Sequence, residues 1–161
     1  TLIDAFAELR AGGVDVQLTI VGSGPLLASL EQRAAQRNIS ASCHFEPSTR
    51  AVADWLRSFD IFVLPSLSEA LSNALMEAMA CGCCAIASRT GGNPELIEEG
   101  ITGLLFNPSD VRDLVEKLRA VISNPGARRK FAEAGARRMR EKFSIAASVR
   151  RMEEIYDSLG R

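Results

Sequence analysis

Five short β-rich runs recur along the chain with helical patterns between them: "VQLTIV" (16–21), "SCHF" (42–45), "IFVL" (61–64), "CAIAS" (84–88) and "GLLF" (103–106). They are mostly continuous in apolar residues rather than alternating, the pattern of strands buried on both faces in a parallel sheet. Parallel neighbours need crossover connections, and the spacers supply them. Leu2, Ile3, Phe6 and Leu9 share one helical face, which Gly12-Gly13 stops. "PLLASLEQRAAQR" (25–37) opens with Pro25 at a first-turn position, and Val52, Trp55, Leu56 and Phe59 repeat at helical spacing. Ser72 or Asn73 can cap a helix that runs to Cys81 and stops at Gly82, while Pro94 opens "PELIEE", ended by Gly100. Residues 109–159 read as two or three helices, broken at Asn124-Pro125 and near Phe143-Ser144. The expected class is α/β: a doubly wound, Rossmann-like parallel sheet with helices on both faces and a helical C-terminal tail.

Residues 1–161 are read as one domain, with 109–159 as its tail. A doubly wound unit should begin on a strand, whereas this chain begins on a helix and on Thr1. We therefore expect a strand upstream and a larger parent protein. Nearly half the residues are apolar, about a quarter are charged, and the net charge is -1, which describes a globular protein. No apolar run approaches the ~18–20 residues of a membrane-spanning helix.

Acids outnumber bases up to Asn107, and the balance reverses beyond it in the clusters "RRK", "RRMR" and "RR". A solvated helix face is the plain reading of those clusters, and peripheral contact with acidic membrane lipid the sharper one. Neither net charge nor aromatic interleaving points to nucleic acid. The cysteines, Cys43, Cys81, Cys83 and Cys84, lack a zinc spacing, and the one histidine, His44, is remote from "CGCC". They read as reduced thiols of a cytoplasmic protein, and no metal is expected.

Within "PSLSEALSNALMEAMACG" (65–82), Glu69 and Glu77 stand among small and apolar residues. The density around Glu77 predicts a helix buried on most faces, where an unpaired carboxylate would be costly. Ligands of parallel sheets gather at the carboxyl ends of the strands. The loops there are "GSGP" (22–25), "EPST" (46–49), "PSLSEALS" (65–72) and "RTGGN" (89–93). Two carry glycines ahead of a helix start, which lets a phosphate approach backbone N–H groups. First-turn amides near Ser72 lack intrahelical partners and can meet an anion, while Glu69 and Glu77 can accept hydrogen bonds from hydroxyls on either side. One anion site flanked by two hydroxyl-binding acids suits a sugar, a diphosphate and a ribose.

Three rivals fit less well. A dinucleotide fingerprint would extend Gly22 and Gly24 to a third glycine, but that position is Leu27. A glycosidase acid pair would be ~12 Å apart if both acids were helical, beyond the ~5–9.5 Å such pairs use. A phospho-acceptor domain needs acids at strand ends, and Asp60 begins its strand instead.

"PSLSEALSNALMEAMACGCCAIASRTGGNPELI" resembles the donor-binding signature of the group 1, or family 4, retaining glycosyltransferases of the GT-B fold. Glu69, Glu77, Ala78-Met79-Ala80, Gly82 and Gly91-Gly92-Asn93-Pro94-Glu95 match it in order and spacing. "VGSGP", "DIFVLPS" and "GITGLLFNPSD" are similar to the same family, so the resemblance covers nearly the whole chain. It implies the C-terminal, donor-binding domain of such an enzyme, lacking its first strand and an N-terminal acceptor domain.

By the resemblance, Glu69 binds donor-sugar hydroxyls and is the catalytic candidate. Ala70, Leu71, Ser72, Asn73, Gly91 and Gly92 serve the sugar and diphosphate. Glu77 binds the ribose, Gly22 and Gly24 let the nucleotide lie close, and Pro47 of "FEPS" sits by the base. The donor implied is a nucleotide-diphosphate sugar of UDP type, with no further cofactor. The parent enzyme would move a hexose-type sugar to a glycan or lipid-linked acceptor in polysaccharide biosynthesis, and the fragment alone would bind without turnover. A non-catalytic nucleotide-sugar-binding module and a GT-B-fold sugar-nucleotide epimerase are the alternatives. The chain departs from the pattern at Ala70, usually glycine, and at Cys84, often proline. Arg89 is the nearest basic residue to the diphosphate, and a surface arginine is its simpler reading.

Overall fold

A computed structural model describes residues 1–159. The chain runs α1 (Leu2–Ala11), β1 (Leu18–Val21), α2 (Leu27–Gln36), β2 (Cys43–Glu46), α3 (Val52–Ser58), β3 (Ile61–Leu64) and α4 (Asn73–Ala80). It continues through β4 (Cys84–Ser88), α5 (Asn93–Leu96), β5 (Gly103–Phe106), α6 (Val111–Ile122), α7 (Pro125–Lys142) and α8 (Ile145–Leu159). All five expected strands form, and every pairing is parallel. No described helix is long and apolar enough to cross a membrane.

The described strands pair in two groups. β3, β4 and β5 form one three-stranded sheet in that order, and β1 pairs with β2 in a separate one. No described strand joins β1 to β3. A cavity of about 1350 Å³ lies along both of them, touching Leu18 to Val21 on one side and Ile61 to Val63 on the other, with Thr1, Leu2 and Ile3 at its rim. The inner edges of β1 and β3 thus keep unpaired backbone groups.

Burial follows the strand periodicity. Cys84 and Ile86 of β4, with Leu104 and Phe106 of β5, point to the side covered by Ala5 and Leu9 of α1 and by Leu114, Leu118 and Val121 of α6. Ala85 and Ala87, with Leu105, point to the other side, where Leu75 and Met79 of α4 and Met139 of α7 cover them. Consecutive strand residues face opposite ways. A strand buried on both faces must therefore be apolar at every position, as "CAIAS" nearly is. α1 also joins the two sheets, because Ile3 and Phe6 pack with Ala34, Ile39 and Cys43 around β1 and β2.

An ion-pair cluster ties α1 to α2. Asp4 is buried and receives Arg33 through both Nε and Nη2, with Arg37 Nε at 2.9 Å. Burial alone would raise the Asp4 carboxyl. The hydrogen bonds from Arg33 and Arg37, with the Arg33 charge, outweigh it and hold the group below the ordinary carboxylate value.

Two helix boundaries move. α2 begins at Leu27, leaving Pro25 in the preceding turn, where the Leu27 N–H reaches Gly24 O. α5 is a single turn because Ile97 turns to extended backbone and buries its side chain with Leu96. The 109–159 tail forms α6, α7 and α8 with breaks where Asn124-Pro125 and Phe143-Ser144 stand. No residue of α8 is buried, and its Ile145, Val149, Met152, Ile155, Tyr156 and Leu159 are exposed.

Candidate functional site

The loop 65–72 connects β3 to α4, and groups at and just after the end of β4 fasten it. Ser88 Oγ donates to Ser66 O at 2.6 Å, and Thr90 Oγ1 donates to Leu67 O at 3.2 Å. The Gly92 N–H donates to Ala70 O at 2.7 Å. Gly91 has φ +51, and a Cβ there would overlap the carbonyl oxygen of Glu69. A side chain at Gly92 would overlap Ala70 O in the same way. The two glycines are therefore needed for close backbone approach, with Gly91 also in the left-handed region where glycine has no steric cost.

Ser72 forms the expected cap: its Oγ accepts from the Leu75 N–H at 3.3 Å. The backbone N–H groups of Leu71, Ser72, Asn73 and Ala74 have no acceptor among the described residues. This is the set of orphan donors at a helix start that favours an anion. Ala70 does not adopt left-handed backbone, so alanine in place of the family's glycine is unstrained here.

Glu69 is half-buried, and its Oε1 accepts from Ser66 Oγ at 2.7 Å. Glu77 contradicts the expectation of an acid in a helix buried on most faces. α4 buries Leu75, Ala78 and Met79 while turning Asn73, Ala74, Glu77 and Ala80 outward. The helical period explains this, since those four outward residues share one face at i, i+1, i+4 and i+7. The Glu77 carboxylate has no ion-pair or hydrogen-bond partner among the described residues, and the residue lines the large cavity.

The cavity brings Glu77 and Ala74 together with Gly22, Ser48, Thr49 and Pro65. Gly24 and Pro47 are exposed in the loops beside it and do not line it. Those loops are tied by two backbone donors, Ser48 N–H to Ser23 Oγ at 3.2 Å and Gly22 N–H to Glu46 O at 2.9 Å. Glu69, Gly91 and Gly92 form the neighbouring cluster across loop 65–72, not the cavity wall. The candidate residues thus fall into two groups joined through the start of α4.

Sequence reasoning missed Ser66, Ser88 and Thr90, polar residues that shape loop 65–72. The signal was available: Ser66 precedes Glu69 by three residues, and Ser88 is the one polar residue of an apolar strand. Arg89 pairs with Glu99 at 3.0 Å, as a surface arginine does. All four cysteines are free. Burial pushes the Cys83 thiol up to about 12, with Cys81 and Cys84 adding to the effect, and the Cys84 thiol up to about 11.

Residues 1–138 match the family described as "Glycosyl transferases group 1". The chain belongs to that family. A glycosyltransferase of Methanocaldococcus jannaschii, itself uncharacterised, is 32% identical over 162 residues, covering 98% of this chain and 44% of that protein. The C-terminal domain of a group 1 glycosyltransferase from Francisella tularensis superposes with a TM-score of 0.81 at 27% identity, covering 89% of this chain and 78% of that one. HepE of Anabaena in complex with UDP superposes with a TM-score of 0.88 at 21% identity, covering 98% of this chain and 44% of that one. The GT-B resemblance is confirmed, and the chain spans less than half the length of the Methanocaldococcus relative.

Proposed function

We propose that this chain is the donor-binding domain of a retaining glycosyltransferase that uses a nucleotide-diphosphate sugar of UDP type. The observation that carries the reading is the start of α4, where unpaired amides of residues 71–74 lie between Glu69 on one side and Glu77 on the other. The diphosphate would sit on those amides, which stabilise charge developing on the leaving group. Glu77, exposed in the cavity that Gly22 also lines, would accept from the ribose hydroxyls. Gly24 and Pro47 would flank the nucleotide from the neighbouring loops. Glu69, as the catalytic candidate, would hold the sugar hydroxyls, so that catalysis is mainly positioning.

The UDP-bound state of the Anabaena structure supports the nucleotide class, and the Francisella domain supports a C-terminal place in a longer enzyme. In that enzyme an N-terminal domain would supply the acceptor site, and a hexose-type sugar would pass to a glycan or lipid-linked acceptor of polysaccharide biosynthesis. This chain alone would bind donor without turnover. The four free cysteines support a cytoplasmic setting. The exposed Arg129, Lys130, Arg137 and Arg140 of α7 support peripheral contact with acidic lipid at the inner face of the membrane.

Calorimetric titration with UDP, GDP, ADP and their sugars tests the reading. Silence toward all of them at millimolar ligand, in a folded chain, would overturn it. Glu77→Ala should weaken nucleotide and nucleotide sugar alike, and Glu69→Ala only the sugar-bearing form. Equal losses in both variants would contradict the division of roles.

A further inference from the structure

We propose that Ser66 is a positioning residue for Glu69, fixed from beneath by the buried pair Ser88 and Asn93. The proposal rests on the donor-site reading above and assigns a role to a residue outside the acid pair and the glycines.

Ser66 is engaged at both of its polar ends. Its carbonyl accepts from Ser88 Oγ at 2.6 Å, and its hydroxyl donates to Glu69 Oε1 at 2.7 Å. Ser88 is fully buried at the end of β4, and its own carbonyl accepts from Asn93 Nδ2 at 3.0 Å. Asn93 is also fully buried. A continuous line therefore runs from the first residue of α5, through the end of β4, to one oxygen of the Glu69 carboxylate.

The backbone of this loop is already immobilised at Ser66 O, Leu67 O and Ala70 O, and by the contact of Gly91 with Glu69. What such fastening leaves free is the Glu69 side chain, whose torsions would otherwise spread the carboxylate over many positions. The Ser66 hydroxyl removes that freedom by engaging Oε1. Oε2 has no partner among the described residues, so it is the oxygen left to accept from a ligand hydroxyl. Ser66 lies on the sugar side of the α4 start, so its influence should reach the sugar and not the diphosphate.

The test is a double-mutant cycle in this chain, read as dissociation constants for UDP-glucose against UDP and for GDP-mannose against GDP. Ser66→Ala should weaken the sugar form by about tenfold, the loss of one charge-assisted hydrogen bond. The matching diphosphate should be unaffected, and Ser66→Thr, which keeps the hydroxyl, should restore the sugar affinity. In a Glu69→Ala background, Ser66→Ala should have no further effect. If Ser66→Ala weakens sugar and diphosphate forms equally, Ser66 merely shapes the loop and the proposal is overturned. It is also overturned if Ser66→Ala still acts when Glu69 is alanine. If Glu69→Ala loses sugar affinity and Ser66→Ala does not, the donor-site reading survives and this proposal alone fails. If Ser66→Ala does not fold, Glu69→Asp, which draws the carboxylate away from Ser66, should reproduce the sugar-selective loss. Its absence would overturn the proposal. Binding of neither pair by the native chain overturns the donor-site reading and this proposal together.

Discussion

The two sheets of this molecule are held together by different means. In the sheet of β3, β4 and β5, the last two strands are buried on both faces, β3 on the cavity side is partly buried throughout, and loops touch backbone to backbone. β4 and β5 are buried at every position, and Gly91 and Gly92 leave no room for a Cβ against Glu69 and Ala70. Around β1 and β2 the packing is looser. Every residue of β1 is only partly buried, α2 buries Ala34 alone, and a buried carboxylate with two arginines joins α2 to α1. Shape fixes one half and charge helps fix the other, so the two should answer to different perturbations.

The largest effect should come from the tightly packed half. Gly91→Ala adds a Cβ where the Glu69 carbonyl lies and forces left-handed backbone on alanine, so it should cost about 3 kcal/mol in urea denaturation. A loss below about 1 kcal/mol would mean that the two loops can separate cheaply.

In the looser half, Asp4→Asn should cost about 1–2 kcal/mol. That is less than a fully buried pair would, because Arg33 and Arg37 are half exposed and can return to water. The pH dependence separates this variant from the first. The Asp4 carboxyl is held below its ordinary value in the folded chain, so its stabilisation is present above about pH 4 and is lost as pH falls through the lower, folded value. Asp4→Asn should flatten the acid limb of the stability curve, whereas Gly91→Ala should leave its shape unchanged. An unaltered acid limb in Asp4→Asn would break the comparison.

Ser72→Ala removes the cap of α4 and should cost about 1 kcal/mol, readable as a lowered thermal midpoint. Ser23→Ala should be smallest, within about 0.5 kcal/mol, because it removes one exposed tie between loops. Faster amide exchange at Ser48 would be its signature, and unchanged exchange would show that the tie holds nothing.

The strands were legible because burial on both faces demands apolar residues at nearly every position, and few other structures produce runs such as "CAIAS" between helices. The Ser72 cap was legible from local chemistry alone. The order in which the strands pair was not readable, since long-range pairing leaves no mark in either strand alone. The burial expected around Glu77 was overstated because a short helix rich in alanine and methionine looks apolar all round until its period is laid against one sheet. Asp4 escaped notice because its partners Arg33 and Arg37 lie a helix away, where only the fold brings them near. The same holds for Ser66 and Ser88, whose bond crosses from one strand end to another.

The fastening of loop 65–72 has a consequence for motion. A segment gripped at Ser66, Leu67 and Ala70, with glycine backbone pressed against Glu69, has no hinge of its own and travels with β4 as one block. Any opening that admits a bulky ligand must then be taken up elsewhere. The sugar end of the site would then act as an anvil against which a ligand is held, not as a lid.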